Sequence, residues 1–363
     1  MTIPASTEGR SLLRSPAPVR GAGRPAANDA LVRAAPRPSV SVVVPTCGRP
    51  ALLDRCLRAL AAQRADPGPR GIASFELIVV DDRPSAATER AVARWARRAH
   101  PLAIRYIAST GPHGPAAARN HGWRAARGDV VAFTDDDTEP DPRWLRNGLR
   151  AMRGDVDAAC GRIVMPIPER PTDYERDAQG LEQSEFVTAN CFCRRRVLEA
   201  LGGFDERFGL AWREDSDLHF RLLESGARIA RAEDAVVVHP VRPAPWGVSV
   251  RQQRKVAYDA LLYKKHPRLY RERIRARPRW DYYLTVAALL ALALGLASGE
   301  PGVAAGAGLA WLALTARFCA ARLRGASKAP AHVLEMMITS AAIPPLAVFW
   351  RAVGAWRYRV VFG

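Results

Sequence analysis

The chain has 363 residues, a formal net charge of +18 and 48% hydrophobic residues, which is enough apolar material for one large folded domain with something attached and excludes a wholly disordered protein. Its basic residues are spread along the chain with no helix-turn-helix, zinc-finger or RNA-binding signature, which argues against nucleic acid as a partner. The six cysteines include no C-x-x-C pair and no cysteine-histidine spacing suited to zinc, so they read as reduced and mostly buried.

Residues 1–38 are rich in Pro, Ala, Gly, Ser and Arg without periodicity and are expected to be a disordered tail, with no apolar run suited to a signal peptide. From Val40 the pattern changes. "VSVVVPT" reads as a buried strand, and Leu52, Leu53, Cys56, Leu57 and Leu60 follow at helical spacing. "FELIVVDD" is a second strand, a helix around Val92, Trp95 and Ala96 follows, and "LAIRYI" is a third strand. A helix over 116–126 and the strand "DVVAF" come next. Strands alternating with helices predict an α/β domain over 39–263 with a mainly parallel sheet and helices on both faces. Shorter strands at 158–164 and 187–192, a helix over 214–224 and a last strand "AVVVH" complete it.

The segment 264–281 is a basic collar, with Lys264, Lys265, Arg268, Arg271, Arg273, Arg275, Arg277 and Arg279. Residues 282–363 form a membrane region. Two apolar runs within 282–318, joined by "GEPG", predict a hairpin of transmembrane helices. Basic residues on both of its flanks are expected to place those flanks, and the α/β domain, on the cytoplasmic face of the inner membrane. Each one near an anionic leaflet contributes about 1 kcal/mol. A third apolar stretch, 332–350, contains Glu335 and Pro344-Pro345. A straight span there would put Arg351, Arg357 and Arg359 outside. A kinked re-entrant or interfacial element is therefore expected, with a kinked full span as the alternative.

In an open parallel sheet a ligand sits beyond the carboxyl ends of the strands. There this sequence places the turn "PTCGRP", the pair Asp81-Asp82, the run Asp135-Asp136-Asp137 and His239. Carboxylates gathered at one edge need a counter-charge, and hard oxygen ligands with one imidazole suit Mg2+ or Mn2+, which in turn would hold a diphosphate.

The segments "VSVVVPTCGRP", "ELIVVDD", "ARNHG", "VAFTDDD", "GGFDERF" and "REDSDLHFRL" occur in the order found in the inverting family 2 glycosyltransferases, and residues 40–240 resemble that family. The resemblance implies a Rossmann-like GT-A fold and transfer of a sugar from a nucleotide-sugar donor. Pro45, Thr46, Arg49 and Asp82 would lie on the nucleotide side, together with Asp135 and Asp136, the latter near the ribose. Asp137 and His239 would hold the metal. Glu214 would lie beside the acceptor, and Asp215 would be the catalytic base. Asn120, in "ARNHG", either contacts the donor or caps a local turn.

Arg83-Pro84 stands where the family usually has small residues, and "RQQRKVAY" lacks the Q-x-x-R-W of the processive polymerases, which favours transfer of a single sugar. The implied acceptor is lipid-linked or a precursor of a cell-envelope polysaccharide. Two rival readings are a non-catalytic membrane scaffold of the same fold and a nucleotidyl or phosphoryl transferase using the same acidic edge. The second lacks a phosphate loop ending in Gly-Lys-Ser/Thr.

Overall fold

A computed structural model describes residues 38–63 and 74–361; the expected N-terminal tail lies outside these residues but for its last position. Eight strands form one sheet in the order β3-β2-β1-β4-β7-β6-β8-β5. They are β1 (Val40–Thr46), β2 (Phe75–Asp81), β3 (Ala103–Ala108), β4 (Val130–Phe133), β5 (Glu139–Pro140), β6 (Ala158–Val164), β7 (Cys191–Arg194) and β8 (Ile229–Val238). β1 lies inside the sheet and is buried along its whole length, in keeping with its four valines.

The half β3-β2-β1-β4 is parallel throughout, as expected. β7 then runs antiparallel between β4 and β6, and the short β5 runs antiparallel against β8. The sheet is therefore mixed beyond β4. The strand expected at 187–192 is instead a 3-10 turn at Thr188–Asn190 followed by β7, and β8 starts six residues before the expected "AVVVH".

The helices of the domain are α1 (Pro50–Ala61), α2 (Ala86–Arg98), α3 (Pro115–Ala125), α4 (Trp144–Ala151), α5 (Asp173–Gln179), α6 (Arg195–Leu201), α7 (Glu214–Glu224), α8 (Val248–Gln252), α9 (Ala257–Lys265) and α10 (Pro267–Arg273). α3 approaches the sheet closely because Gly122 has no side chain. A Cβ there would stand 2.3 Å from Val43 Cγ1. Val43 is fully buried and its β-branched side chain has little freedom to turn away. Gly122→Ala gains about 0.5–1 kcal/mol of helix propensity, but forcing a methyl into this contact costs roughly 1–3 kcal/mol. A net loss of stability is the expected result, read as a lower thermal midpoint.

The collar is not a plain linker. Its first part forms the end of α9 and all of α10, and Leu269 and Tyr270 enter a second core with Phe208, Phe220, Leu261 and Leu262. Asp217 on α7, fully buried, ties this core together through Lys265, Arg221 (2.8 Å) and His266 Nε2 (3.2 Å).

Beyond it come α11 (Trp280–Ala297), α12 (Pro301–Leu323) and α13 (Pro330–Tyr358), three helices long and apolar enough to cross a membrane. α11 and α12 form the expected hairpin, and Gly295 lets them meet closely: its missing Cβ would lie 2.7 Å from the backbone nitrogen of Ala304. α13 is longer than expected and runs uninterrupted through Pro344 and Pro345.

Candidate active site

The acidic run follows β4 directly. Its turn is pinned from beneath: Thr134 Oγ1 donates to the Ala189 carbonyl (2.9 Å), Thr138 Oγ1 donates to the Asp135 carbonyl (2.8 Å), and the two hydroxyls meet at 2.7 Å. Three adjacent carboxylates are tolerated because each meets a different cation. Asp136, fully buried, accepts from Thr46 Oγ1 (2.6 Å) and Arg49 Nε (3.1 Å). Asp135 accepts from Arg119 Nη2 (2.8 Å). Asp137 faces Arg242 Nε (3.0 Å), His239 Nε2 (3.7 Å) and Arg49 Nη1 (3.8 Å). Burial pushes Asp136 up to about 6 even though Arg49 and Thr46 oppose the shift. Burial also pushes Asp135 upward, but Arg119 and His239 outweigh it and hold that carboxyl below its ordinary value.

One oxygen each from Asp135 and Asp137 and one nitrogen of His239 lie within 4.8 Å of one another. Asp137 Oδ2 and His239 Nδ1 are buried and hydrogen-bonded to nothing, although Arg242 stands close to the former. Two carboxylates and an imidazole with unused lone pairs are a donor set that fits Mg2+ or Mn2+. The cluster brings in Asp135, expected on the nucleotide side, beside the two residues expected to hold the metal.

Beyond Arg119, α7 begins with Glu214 and Asp215. Its preceding residue, Arg213, has φ of 74°, a left-handed conformation costing roughly 1–3 kcal/mol in a non-glycine residue. Asp259 on α9 holds that turn, accepting from Arg213 Nε (2.7 Å) and Trp212 Nε1 (3.1 Å), while the Arg213 guanidinium lies 4.5 Å from the centre of the Trp212 ring. The strained turn fixes where the two carboxylates point. Glu214 Oε1 accepts from Arg119 Nη1 (3.1 Å), so a single buried guanidinium bridges the acidic turn after β4 and the start of α7. Asp215 Oδ1 accepts from Ser216 N (2.6 Å). Burial, then the neighbouring Asp215 charge, pushes Glu214 up to about 7 despite Arg119, and burial raises Asp215 as well.

A cavity of about 890 Å3 joins these groups. Asp135, His239, Glu214 and Asp215 line it, and so do Tyr282, Tyr283, Val348 and Arg351 from α11 and α13.

The remaining expected residues have different surroundings. Pro45 and Thr46 close β1, paired with Val80 and Asp81 of β2. Asp82, just past β2, accepts from Gly114 N (3.0 Å) and faces His113, so its carboxylate holds the loop that opens α3. Asn120 is buried and its amide is fully used: it donates to the Phe204 carbonyl and Glu206 and accepts from Phe204 N and Trp123 Nε1. These bonds fasten the "GGFDERF" loop to α3. Arg119 and Arg242 were not among the expected site residues. Arg119 lies in the quoted "ARNHG" segment, and the carboxylates' need for a counter-charge was the signal that could have found it.

A parallel half-sheet ending in an acidic, cation-suited turn, with a carboxylate pair beside it on one cavity, is the arrangement expected of a GT-A fold, with its ligand site at the carboxyl ends of the strands. Residues 130–353 match the sequence profile of glycosyl transferase family group 2, and residues 41–202 that of glycosyl transferase family 2. The chain belongs to the family 2 glycosyltransferases. It is 26% identical over 255 residues to glycosyltransferase AglE of Haloferax volcanii, covering 67% of this chain and 80% of that relative. It is 32% identical over 282 residues to validoxylamine A glucosyltransferase of Streptomyces hygroscopicus, covering 65% and 58%. A third relative, the pre-mycofactocin glycosyltransferase of Mycobacterium tuberculosis, is 38% identical over 149 residues, but the match spans only 31% of its length. The fold is shared with the mannosyltransferase PcManGT from Pyrobaculum calidifontis, solved with GDP-Man and Mn2+, at a TM-score of 0.53 and 22% identity over 89% of this chain and 88% of that one.

Proposed function

We propose that this glycosyltransferase moves a single sugar, with inversion, from a nucleoside-diphosphate sugar to an acceptor presented at the inner leaflet, either lipid-linked or a precursor of an envelope polysaccharide. The observation that carries the reading is the shared cavity: Asp135 and His239 of the cation-suited cluster line the same space as Asp215, and residues of the apolar helices line it too. Asp137 and His239, with Asp135 beside them, would hold Mg2+ or Mn2+, which when bound neutralises charge on the departing diphosphate. Thr46 and Arg49 hold Asp136 in place, where it would meet the nucleotide. Arg49 and Arg242, both partly exposed, supply positive charge where a diphosphate would lie. Asp215 takes the proton of the acceptor hydroxyl, and Glu214 beside it tunes that base.

Burial raises the Asp215 carboxyl above the ordinary aspartate range. A base must be ionised to act. Transfer is therefore expected to be lost as pH falls through that raised carboxyl, at a higher pH than an unperturbed aspartate would give. Rate against pH checks this. The reaction class is tested by the leaving product: a metal-dependent release of nucleoside diphosphate supports sugar transfer, whereas release of pyrophosphate points to nucleotidyl transfer.

A further inference from the structure

The membrane region contains a helix whose two ends both return to the catalytic domain. Near the start of α13, Glu335 Oε1 accepts from Gly247 N (2.7 Å). Near its end, the Tyr358 carbonyl accepts from Lys264 Nζ (2.8 Å), and Gly354 packs so tightly on α9 that a Cβ would lie 2.5 Å from the Ala257 carbonyl oxygen. Glu335 and Tyr358 are about 35 Å apart along a helix rising 1.5 Å per residue, more than the roughly 30 Å of hydrocarbon in a bilayer. If α13 crossed the membrane, the segment 247–264 alongside it would have to cross too. That segment carries the exposed Arg251 and Arg254, together with Lys255 and Lys264. Each charge at mid-membrane costs a few kcal/mol at the least.

The hairpin is tied in at the same place. Arg322, in the last turn of α12, is buried and donates to Thr339 Oγ1 (2.7 Å) and Ser340 Oγ (3.2 Å) in the first half of α13, and to Asp173 of the catalytic domain (2.8 Å). One buried guanidinium thus joins the base of the hairpin, α13 and the catalytic domain.

The surface of α13 fits this placement. Met336, Ile343, Ala347, Arg351 and Gly354 form a buried stripe along its whole length. On the opposite side Leu334, Ile338, Phe349 and Trp356 are exposed, an apolar stripe at helical spacing that is continuous with the bare hairpin.

We propose that α13 does not cross the membrane but lies in its surface plane as a strap, its apolar stripe sunk among the acyl chains of one leaflet and its other face bonded to the catalytic domain. Only the hairpin crosses, and the C-terminus stays on the catalytic side. Val348 and Arg351 line the cavity that holds Asp215, so the strap also separates the catalytic centre from lipid. This arrangement is independent of which sugar is moved.

The test is the depth of spin labels in the full chain, reconstituted in phosphatidylethanolamine and phosphatidylglycerol vesicles. Labels are attached to Leu334→Cys, Ile338→Cys, Phe349→Cys and Trp356→Cys, one at a time, in a Cys47→Ser background, since the other native cysteines are buried. Relative accessibility to oxygen and to a water-soluble nickel complex is expected to be the same shallow value at all four positions, with Leu290→Cys in the hairpin deeper. Ile338 and Phe349 lying deeper than both Leu334 and Trp356 would overturn the proposal, as would four water-exposed labels. A reporter fused to the otherwise unaltered C-terminus gives a second reading: it is expected on the side of the catalytic domain, and the opposite side contradicts the strap.

Discussion

Asp215→Asn is expected to abolish sugar transfer while leaving metal-dependent donor binding intact. The substitution keeps the size of the side chain and an oxygen that can still accept from Ser216 N, so the first turn of α7 stays as it is. What it removes is the ability to take a proton from the acceptor hydroxyl, a contribution typically of about 10²–10⁴-fold in rate. Asp215 does not belong to the cation-suited cluster, and the buried Arg119 stands between Glu214 and Asp135. Donor affinity should therefore be unchanged. Single-turnover transfer and equilibrium donor binding, measured on the same preparation, separate the two effects. Full transfer by the variant would remove Asp215 from its assigned role, and lost donor binding would mean that the two sides of the cavity are not independent.

Asp137→Asn is expected to fail earlier, at donor binding. The amide cannot supply the negative charge a divalent cation needs, and its nitrogen would face Arg242 and Arg49, which now face a carboxylate. The affinity lost should exceed the roughly 10–100-fold that follows from altering a group that merely supports a ligand. Donor binding should also stop responding to Mn2+ or Mg2+. Because Asp137 is buried, the thermal midpoint of the variant must be recorded beside the binding curve; a folded protein with undiminished, cation-dependent binding would contradict the assignment.

The parallel half of the sheet was legible from sequence because β1, β2 and β4 are buried on both sides and therefore read as unbroken apolar runs. β6 and α7 were legible to the residue, the first from its apolar run and the second from the acidic pair at its start and the spacing of Leu218 and Leu222. The direction of β7 was not, since a four-residue strand reads the same either way and its orientation is set by the connection that precedes it. The front half of β8, "IARAED", alternates too weakly to mark a strand; pairing with β6 makes it one. At the site, the acidic groups were visible as residue types at strand ends. Their partners were not: Arg119 and Glu214 are 95 residues apart in the chain, and nothing local to "ARNHG" says that its arginine meets both acidic turns. Asn120 shows the converse, a polar residue in a suggestive motif whose hydrogen bonds all turn inward. The third apolar helix was misjudged in length because apolar content alone does not show that Arg351 and Gly354 lie buried against α9 and α10.

The central claim is that the turn after β4 grips a divalent cation and, through it, the diphosphate of an activated sugar. Calorimetric titration of the full-length protein with a panel of nucleotide-sugars, in Mn2+ and again with the cation chelated, tests it most directly. Saturable binding of at least one nucleotide-sugar that disappears on chelation is the predicted result. Binding of none of them in the presence of the cation, or binding that chelation leaves unchanged, would contradict it.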